Sequence, residues 1–432
     1  MKQFVKKLLP NGLYKTIEPY GHLLEAVFLH AINGFPARGL KVIGVTGTNG
    51  KTSTSFMIHR MLTDAGINTG LMTTVAYGIN DDIRPQTFHM TNVPVRELIR
   101  QLKWMKGQGV DWIVLESASH GLAQNRLWSV PFSVAVFTNL THEHLDYHGT
   151  FERYRDAKRR LFKMTNANTG GLKTGIINAE DPNADYFISD VANVVTYGVK
   201  AGDLRARNIK LASNGSRYQA TIGSDTYYID CRLPGSFNVF NSLAAVGVGR
   251  TLGLTKAQIE KGIAALVHVE GRMDPIDEGQ DFNVIVDFAH TPDSFEKVFK
   301  DVKPHVKGKL IVLFGSPGRR DEAKRAIQGR LAGEYADEVI ITEDDHRDID
   351  GDEIMNMIAG GAEQAGKTRK KDLFLILDRT EAIEFAVSRA SKGDMILFLG
   401  KGHEKSIQRA DGEHPWDEVA TVRAALRSRK QQ

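Results

Sequence analysis

Short apolar runs recur from Lys41 onward, each ending in a polar or glycine-bearing loop and followed by a stretch with helical spacing. KVIGVT precedes a helix predicted from Thr52, and WIVLES and VAVFTN repeat the arrangement. Buried strands alternating with crossover helices predict a mainly parallel sheet. Between about Val194 and Gly235 the texture changes. VVTYGV, RYQATI and TYYIDC are β-rich and separated by Gly, Ser, Asn and Asp, which predicts a small antiparallel patch. Near Gly271 the alternation resumes with NVIVDFAH, LIVLFGS, EVIITED, LFLILD and MILFLG. Ligands of open α/β sheets sit outside the carboxyl ends of the strands, so these five loops are expected to converge on one crevice. The predicted fold is therefore α/β. A P-loop-type central unit with a mainly parallel sheet and a small antiparallel patch is followed by a Rossmann-like unit. The expected divisions are 1–40, 41–270 and 271–432.

A chain of 432 residues exceeds one hydrophobic core, in keeping with that division. The formal charge of +4 is small for the length, and no Lys/Arg stripe with interleaved aromatics marks a nucleic-acid surface. The single Cys231 excludes an internal disulfide and any multi-cysteine zinc site, and fits a reducing cytoplasm. The opening MKQFVKKLLPNGLYK lacks the long apolar run of a signal peptide. In YGHLLEAVFLHAINGF, His22, Glu25 and His30 interrupt the apolar run, so it is too short and polar to span a bilayer. The first reading of that stretch is a packed amphipathic helix. The second is a peripheral membrane contact helped by Lys2, Lys6, Lys7 and Lys15.

The loop TGTNGKTSTS follows the strand KVIGV and opens a helix. Gly47 and Gly50 permit a tight turn whose backbone N–H groups, with those of Thr48, Asn49 and Ser53, can surround phosphate oxygens. Lys51 would reach the terminal phosphates and the Thr52 hydroxyl would meet a magnesium ion. Val45 stands where the strict motif has glycine, and a turn that binds nothing is the bland alternative.

NLTHEHLDYHG packs His142, His144 and His148 with Glu143 and Asp146 behind the run VAVFT. Zinc suits a His-x-His arrangement, with His148 as third ligand, but a phosphate loop calls for magnesium and oxygen ligands. Glu116, at the end of WIVLE, can face that loop. In GTFERYRDAKRRLFKM, Phe151, Tyr154, Ala157, Leu161 and Phe162 form one apolar helical face, and Lys158 lies within it. Its amine either snorkels to solvent or stays neutral and captures carbon dioxide as a carbamate ligand.

GTNGKTSTS, ESASHGL, NLTHEHLDYHGTFERYRDAKRRLF, GSFNVFNSLAA, GRMD, DFAHTPDS, GSPGRRDEAKR and GKGHE occur here in this order, from about residue 41 to 410. This ordered set closely resembles the Mur ligases, in particular the branch that adds the third residue to a UDP-N-acetylmuramoyl peptide. The resemblance implies ATP-dependent amide formation through an acyl phosphate, with magnesium. Position by position it implies Lys51 and Thr52 on phosphate and metal, and Glu116, His144 and a carbamylated Lys158 on a second metal. It implies Asn238 and Asn241 near adenine, with Arg272, Asp287 and His290 closing over the nucleotide. A helix cap and a surface arginine are the bland readings of the asparagines and Arg272. Thr91, Asn92, Ser119, His120 and Arg126 are expected to meet the acceptor peptide. Arg320, Asp344, Arg347, Gly400 and Glu404 are expected to meet the incoming amino acid.

Two features depart from the pattern. Only about 40 residues precede the phosphate loop, too few for the branch's UDP-gripping domain. The nucleotide end of the acceptor is then expected to be held differently, by a partner, or not at all. The branch that uses meso-diaminopimelate carries Asp-Asn-Pro-Arg, whereas TEDDHRD keeps Asp344 and Arg347 around Asp345 and His346. Arg347 can pair with the distal carboxylate of diaminopimelate, which lysine lacks. Diaminopimelate is therefore the expected substrate, with lysine as the alternative. The rivals are a related ligase for folylpolyglutamate, poly-γ-glutamate or a lipid-linked precursor, a non-catalytic subunit, and a P-loop kinase or GTPase.

Overall fold

The structure, a computed structural model, describes residues 11–430 except Thr87, His89 and Ser213, and leaves undescribed the side chains of residues 11–17 and of Asp146. Lys2, Lys6 and Lys7 thus lie outside the described residues, as does the side chain of Lys15.

One large sheet is built from β1 (Lys41–Thr46), β2 (Thr69–Met72), β3 (Ala76–Ile79), β4 (Asp82–Pro85), β5 (Trp112–Glu116) and β6 (Phe132–Phe137). It continues with β7 (Thr174–Asn178), β8 (Asn193–Gly198), β9 (Leu204–Ala212), β10 (Gly215–Ile222) and β11 (Asp225–Cys231). The spatial order is β11-β10-β9-β8-β7-β6-β1-β5-β2-β3-β4. Strands β8, β7, β6, β1, β5 and β2 run parallel. Their continuous apolar runs follow from burial on both faces. On one face Ile43 and Val45 pack against Met57, Ile58, Leu243 and Val246. On the other, Val42 and Phe132 pack with Leu98, Leu102, Leu161 and Phe162. The helices supplying these residues are α2 (Lys51–Asp64), α3 (Val95–Gly107), α4 (Phe151–Ala167) and α5 (Phe237–Thr251); α6 (Lys256–Ala264) packs on α2, and α1 (Asn11–Ile32) lies on α3.

The antiparallel patch is real but begins later than its sequence texture indicated. VVTYGV belongs to β8, which pairs parallel with β7 and with β9, and only β9, β10 and β11 form the meander. A second antiparallel patch, β2-β3-β4, extends the opposite edge.

The C-terminal sheet contains β12 (Asp274–Pro275), β13 (Asn283–Asp287), β14 (Leu310–Phe314), β15 (Glu338–Ile341), β16 (Leu373–Leu375) and β17 (Met395–Leu399), ordered β12-β13-β17-β14-β15-β16. All five apolar runs read from the sequence are strands, parallel to one another, while β12 is antiparallel. Helix α7 (Pro292–Val302) starts with Thr291 in a capping box with Ser294, which fixes where the DFAH loop turns into helix.

The sheet margins share a character. β4 carries Asp82, Arg84 and Pro85, and the Tyr228 amide of β11 donates to Glu260 Oε1 on α6 at 2.7 Å. β12 has two residues and ends in Pro275, and β16 has three. On α1, Ala26 and Leu29 pack on Val95, Ile99 and Trp128, while Tyr20, Leu24, Val27, Phe28 and Ile32 face outward. The expected packed amphipathic helix is thus packed on one face only.

Candidate active site

Register brings the ends of three strands together. Val45 on β1 lies opposite Glu116 on β5 and Val136 on β6. The phosphate loop, Glu116 and the histidine loop after β6 therefore emerge side by side. Gly47 has φ 151° and Gly50 φ 82°, and a Cβ on Gly47 would sit 1.9 Å from Thr138 Oγ1. Glycine is required there because the loop is pinned closely to the β6 loop. Thr48 N donates to Asn139 O at 2.8 Å, Asn49 N donates to Asn139 Oδ1 at 3.0 Å, and Thr138 Oγ1 donates to Asn49 O at 2.6 Å.

Lys51 Nζ donates to Thr48 O at 2.8 Å, folded over its own loop. Burial lowers its pKa, offset by Glu116. Thr52 Oγ1 donates to Glu116 Oε2 at 3.0 Å, and Thr74 N donates to the same oxygen at 3.1 Å. A hydroxyl and a carboxylate at that separation, both lining a cavity beside a lysine, are hard oxygen donors suited to magnesium.

The histidines do not converge as zinc ligands. His142 is exposed, and buried His148 places Nε2 3.0 Å from Ser119 Oγ. His144, with φ 57°, lies in front of the short helix Leu145–His148. Its ring lies 4.7 Å from that of His120, and burial lowers the pKa of both, that of His120 to about 3. Among the described residues, the Asp, Glu, His or Cys trio with donor atoms all within 4.8 Å is instead Asp344, Asp345 and Glu404.

Lys158 does not snorkel. It is 2% exposed and its Nζ donates to Gly47 O at 2.6 Å from beneath the phosphate loop. Burial drives its pKa well below the ordinary lysine value, with Lys51 adding to the effect. The Tyr154 ring lies 4.6 Å from this amine, and its hydroxyl lies 3.0 Å from Thr48 Oγ1, linking α4 to the loop.

One cavity of about 1060 Å³ runs between the two sheets' loop ends. Thr48, Asn49, Gly50, Lys51, Thr52, Ser53, Glu116 and His144 line it, as do Asn238, Asn241, Arg272, Asp287 and His290. So do Thr91, Asn92, His120 and Arg126, and Arg320, Asp344, Arg347, Gly400 and Glu404. Gly47, Ser119 and Lys158 stand behind the wall. Asn92 is partly structural, since its side chain bridges Glu116 O at 2.7 Å and Ala118 N at 2.8 Å. Asn241 Nδ2 donates to Asn238 Oδ1 at 2.8 Å, and a Cβ on Gly50 would meet Asn241 Oδ1 at 2.3 Å. The pair therefore buttresses the loop and does not merely cap α5.

From the other side Arg272 Nη2 donates to Thr52 Oγ1 at 3.3 Å, and Asn49 Nδ2 donates to Asp293 Oδ2 at 2.7 Å. Arg272 is thus no surface residue. Asp287 accepts from Met273 N at 2.6 Å and Ala289 N at 2.7 Å, which locks the GRMD and DFAH loops together. Phe288 is central to this wall, with Arg272 at 4.5 Å, the His290 ring at 4.7 Å and the His403 ring at 4.8 Å. Arg272 Nε and His403 Nδ1 are buried without hydrogen-bond partners, and both side chains line the cavity.

At the far end, buried Lys401 donates to Asp345 Oδ1 at 2.8 Å and Glu404 Oε2 at 2.7 Å, and lies 3.5 Å from Asp344 Oδ1. The acidic trio is therefore already served by an ammonium. Arg347 has φ 58°, and its Nη1 donates to Gly318 O at 2.5 Å. His346 takes over the work of the missing proline. Its amide donates to Asp344 O at 2.7 Å and its Nδ1 lies 3.2 Å from Ile349 O, so the turn stays closed. The expectation that five loops meet in one crevice holds for four. The loop after β16 instead supports the loop after β15 through Leu377 O, which accepts from Glu343 N at 3.2 Å and Thr342 Oγ1 at 3.1 Å. Sequence reasoning passed over Phe288, Lys401 and His403, although each lies inside a motif it had singled out.

The comparisons agree with this architecture. A sequence model of the Mur ligase middle domain matches residues 45–249, and one of the Mur ligase glutamate ligase domain matches residues 271–402. A UDP-N-acetylmuramyl-tripeptide synthetase from Roseiflexus sp. is 41% identical over 424 residues, covering 94% of this chain and 82% of the relative. A UDP-N-acetylmuramoyl-L-alanyl-D-glutamate–2,6-diaminopimelate ligase from Geobacillus thermodenitrificans is 37% identical, covering 96% and 84%. A solved structure of a ligase with the same 2,6-diaminopimelate name superposes with a TM-score of 0.63 at 30% identity, over 96% of this chain and 84% of that one. The folylpolyglutamate synthase of Mycobacterium tuberculosis shares the fold, with a TM-score of 0.72 at 17% identity over 95% of both chains. A glycine-bearing strand-to-helix loop with Lys51 and Thr52 faces the charged side chains Arg320, Asp344, Arg347 and Glu404 across one cavity, and with the matches to these enzymes this chain belongs to the Mur ligases, ATP-dependent enzymes that form amide bonds.

Proposed function

We propose that this chain adds the third amino acid, meso-diaminopimelate in preference to L-lysine, to UDP-N-acetylmuramoyl-L-alanyl-D-glutamate during peptidoglycan precursor synthesis in the cytoplasm. The supporting observation is the shared cavity, with Lys51, Thr52 and Glu116 at one end and Asp344, Arg347 and Glu404 at the other. Residues 41–270 serve ATP and acceptor, and 271–432 bring the amino acid.

The acceptor carboxylate attacks the γ-phosphorus of ATP, ADP leaves, and the acyl phosphate is then attacked by the incoming amine with loss of phosphate. Lys51, turned from Thr48 O onto the phosphates, and Arg272 offset the charge that builds on the transferring group. Asn238 and Asn241 hold the base side, and Phe288 with His290 closes over the nucleotide. Magnesium, when bound, neutralises phosphate charge, and Thr52 and Glu116 would hold it. A second ion would use Glu116, His144 and Lys158 as its carbamate. The neutral amine that burial enforces on Lys158 is the form that reacts with carbon dioxide. Thr91, His120 and Arg126 face the acceptor. Arg320 takes the amino acid's α-carboxylate, and Arg347 takes the distal carboxylate of diaminopimelate.

The test is ADP release over a matrix of muramoyl dipeptides, with and without UDP, against diaminopimelate, lysine and ornithine, with the product identified by mass. Turnover with the UDP-linked dipeptide and diaminopimelate is expected. Turnover only with a folate or polyglutamate acceptor would overturn the assignment. Competition by free UDP reports whether this chain grips the nucleotide end itself or leaves it to a partner. For Lys158→Ala, loss of turnover with partial rescue by a short carboxylic acid is expected, and an intact Lys158 lacking the added carbon dioxide mass removes the carbamate.

A further inference from the structure

The outward face of α1 is not used by the reaction. Tyr20 (68% exposed), Leu24 (71%), Val27 (36%), Phe28 (63%) and Ile32 (62%) recur along it at i, i+4, i+7, i+8 and i+12. Its opposite face is already filled by Ala26 and Leu29 on α3. A helix apolar on both sides requires something to cover the second side.

The neighbouring charge indicates what covers it. On α3 the exposed side chains are Arg96, Arg100, Lys103 and Lys106, followed by Gly107, with Glu97 as the acidic side chain beside them. Lys103 Nζ donates to Asn33 Oδ1 at 2.7 Å and Lys106 Nζ donates to Arg38 O at 2.6 Å, so this cationic row borders the C-terminal end of the apolar stripe. On α1 itself Glu18 and Glu25 are half-buried, each 3.8 Å from His22. The ten residues that lead into α1 by sequence add Lys2, Lys6 and Lys7 among Phe4, Val5, Leu8 and Leu9.

We propose that the α1–α3 face is a membrane-surface contact that lays its apolar stripe into an anionic lipid interface, with the α3 cations on the headgroups. An apolar band beside a basic band is the pattern of an interfacial helix, and each basic residue near an anionic surface strengthens binding severalfold. No helix among the described residues is long and apolar enough to cross a membrane, so the contact lies on the surface. A second copy of the chain fits less well, because a two-fold pairing through this face would bring two basic rows together.

The experiment is co-sedimentation of the full chain with phosphatidylcholine vesicles and with phosphatidylcholine–phosphatidylglycerol vesicles at equal parts, at low and high salt. Binding to the anionic vesicles that falls with salt is expected, with little binding to the neutral ones. Leu24→Glu/Phe28→Glu and, separately, Lys103→Glu/Lys106→Glu should each lower the partition coefficient by about tenfold or more while ligase turnover on soluble substrate stays at the wild-type level. Absent binding, equal binding to neutral vesicles, or binding unchanged in both variants overturns the proposal. So does a concentration-dependent dimer in sedimentation equilibrium that Leu24→Glu/Phe28→Glu dissolves, which assigns the face to a second copy.

Discussion

Replacing Lys401 with methionine keeps most of the side-chain volume and removes the one ammonium set among Asp344, Asp345 and Glu404. Lys401 is fully buried, with contacts of 2.8 Å to Asp345, 2.7 Å to Glu404 and 3.5 Å to Asp344. These carboxylates raise its pKa despite burial, so the ammonium is the form the fold stabilises. Removing one partner of such a buried cluster costs about 3–5 kcal/mol, because the remaining charges stay desolvated and repel one another. With a urea dependence of about 2 kcal/mol per molar for this half of the chain, the midpoint should fall by roughly 2 M. Trp416 is the lone tryptophan after residue 270 and packs in the C-terminal core, so its fluorescence reads this half once Trp104, Trp112 and Trp128 are changed to phenylalanine. Adding Asp345→Asn and Glu404→Gln should recover most of the loss, since the uncompensated charge and not the missing volume carries it. A midpoint shift below about 0.3 M, or a loss the added substitutions leave untouched, refutes the electrostatic reasoning.

Lys51→Ala should abolish ATP turnover with little change in the unfolding midpoint, because the amine's hydrogen bond is to its own loop and its attraction to Glu116 is offset by burial and by Arg272, and near-normal ADP release would remove the phosphate-loop assignment. Arg347→Ala should cost about ten- to a hundredfold in kcat/KM for diaminopimelate and little for lysine, as expected for a lost charge-assisted hydrogen bond of about 1.5–3 kcal/mol. An equal loss for both amino acids shows that it does not select between them. His59, buried against Thr69 O at 3.2 Å, has its pKa lowered to about 4. Its neutral form is favoured by the fold, so its share of stability is complete above about pH 6.5 and disappears as pH falls toward 4, at about 1.4 kcal/mol per pH unit. His59→Gln should flatten the acid limb of the stability curve by that slope, and an unchanged limb contradicts the sign.

Much of this site could be read because its signals are local. Gly47, Gly50, Lys51 and Thr52 fall within a few residues of one strand end, and Glu116 closes the apolar run beside it. The parallel strands announce themselves as runs because both faces are buried. Where pairing decides, the sequence is quieter. TGLM, AYGI and DIRP are too short and mixed to mark a hairpin, and what separates β8 from the meander is its parallel pairing with both β7 and β9. Lys401 looked like an ordinary motif lysine, since the three carboxylates that define it come from two loops brought together by β15 and β17. Phe288 was hidden by its catalytic-looking neighbours, although three side chains gather on its ring. At His346, hydrogen bonds to Asp344 O and Ile349 O give the turn a restraint of the kind a proline ring would supply, which the residue type alone does not announce.

The sheet margins described above have a consequence for how this long chain survives its own synthesis. An eleven-stranded sheet whose centre pairs strands distant in sequence, β6 with β1, β1 with β5 and β5 with β2, folds slowly, and a half-finished sheet offers open strand edges to its neighbours. Here one outer strand carries Asp82, Arg84 and Pro85, and the other has an edge amide already occupied by Glu260 from α6. The smaller sheet ends in strands of two and three residues. Each border is poor at recruiting another chain by strand addition, a protection that does not depend on charge repulsion, which at +4 is weak.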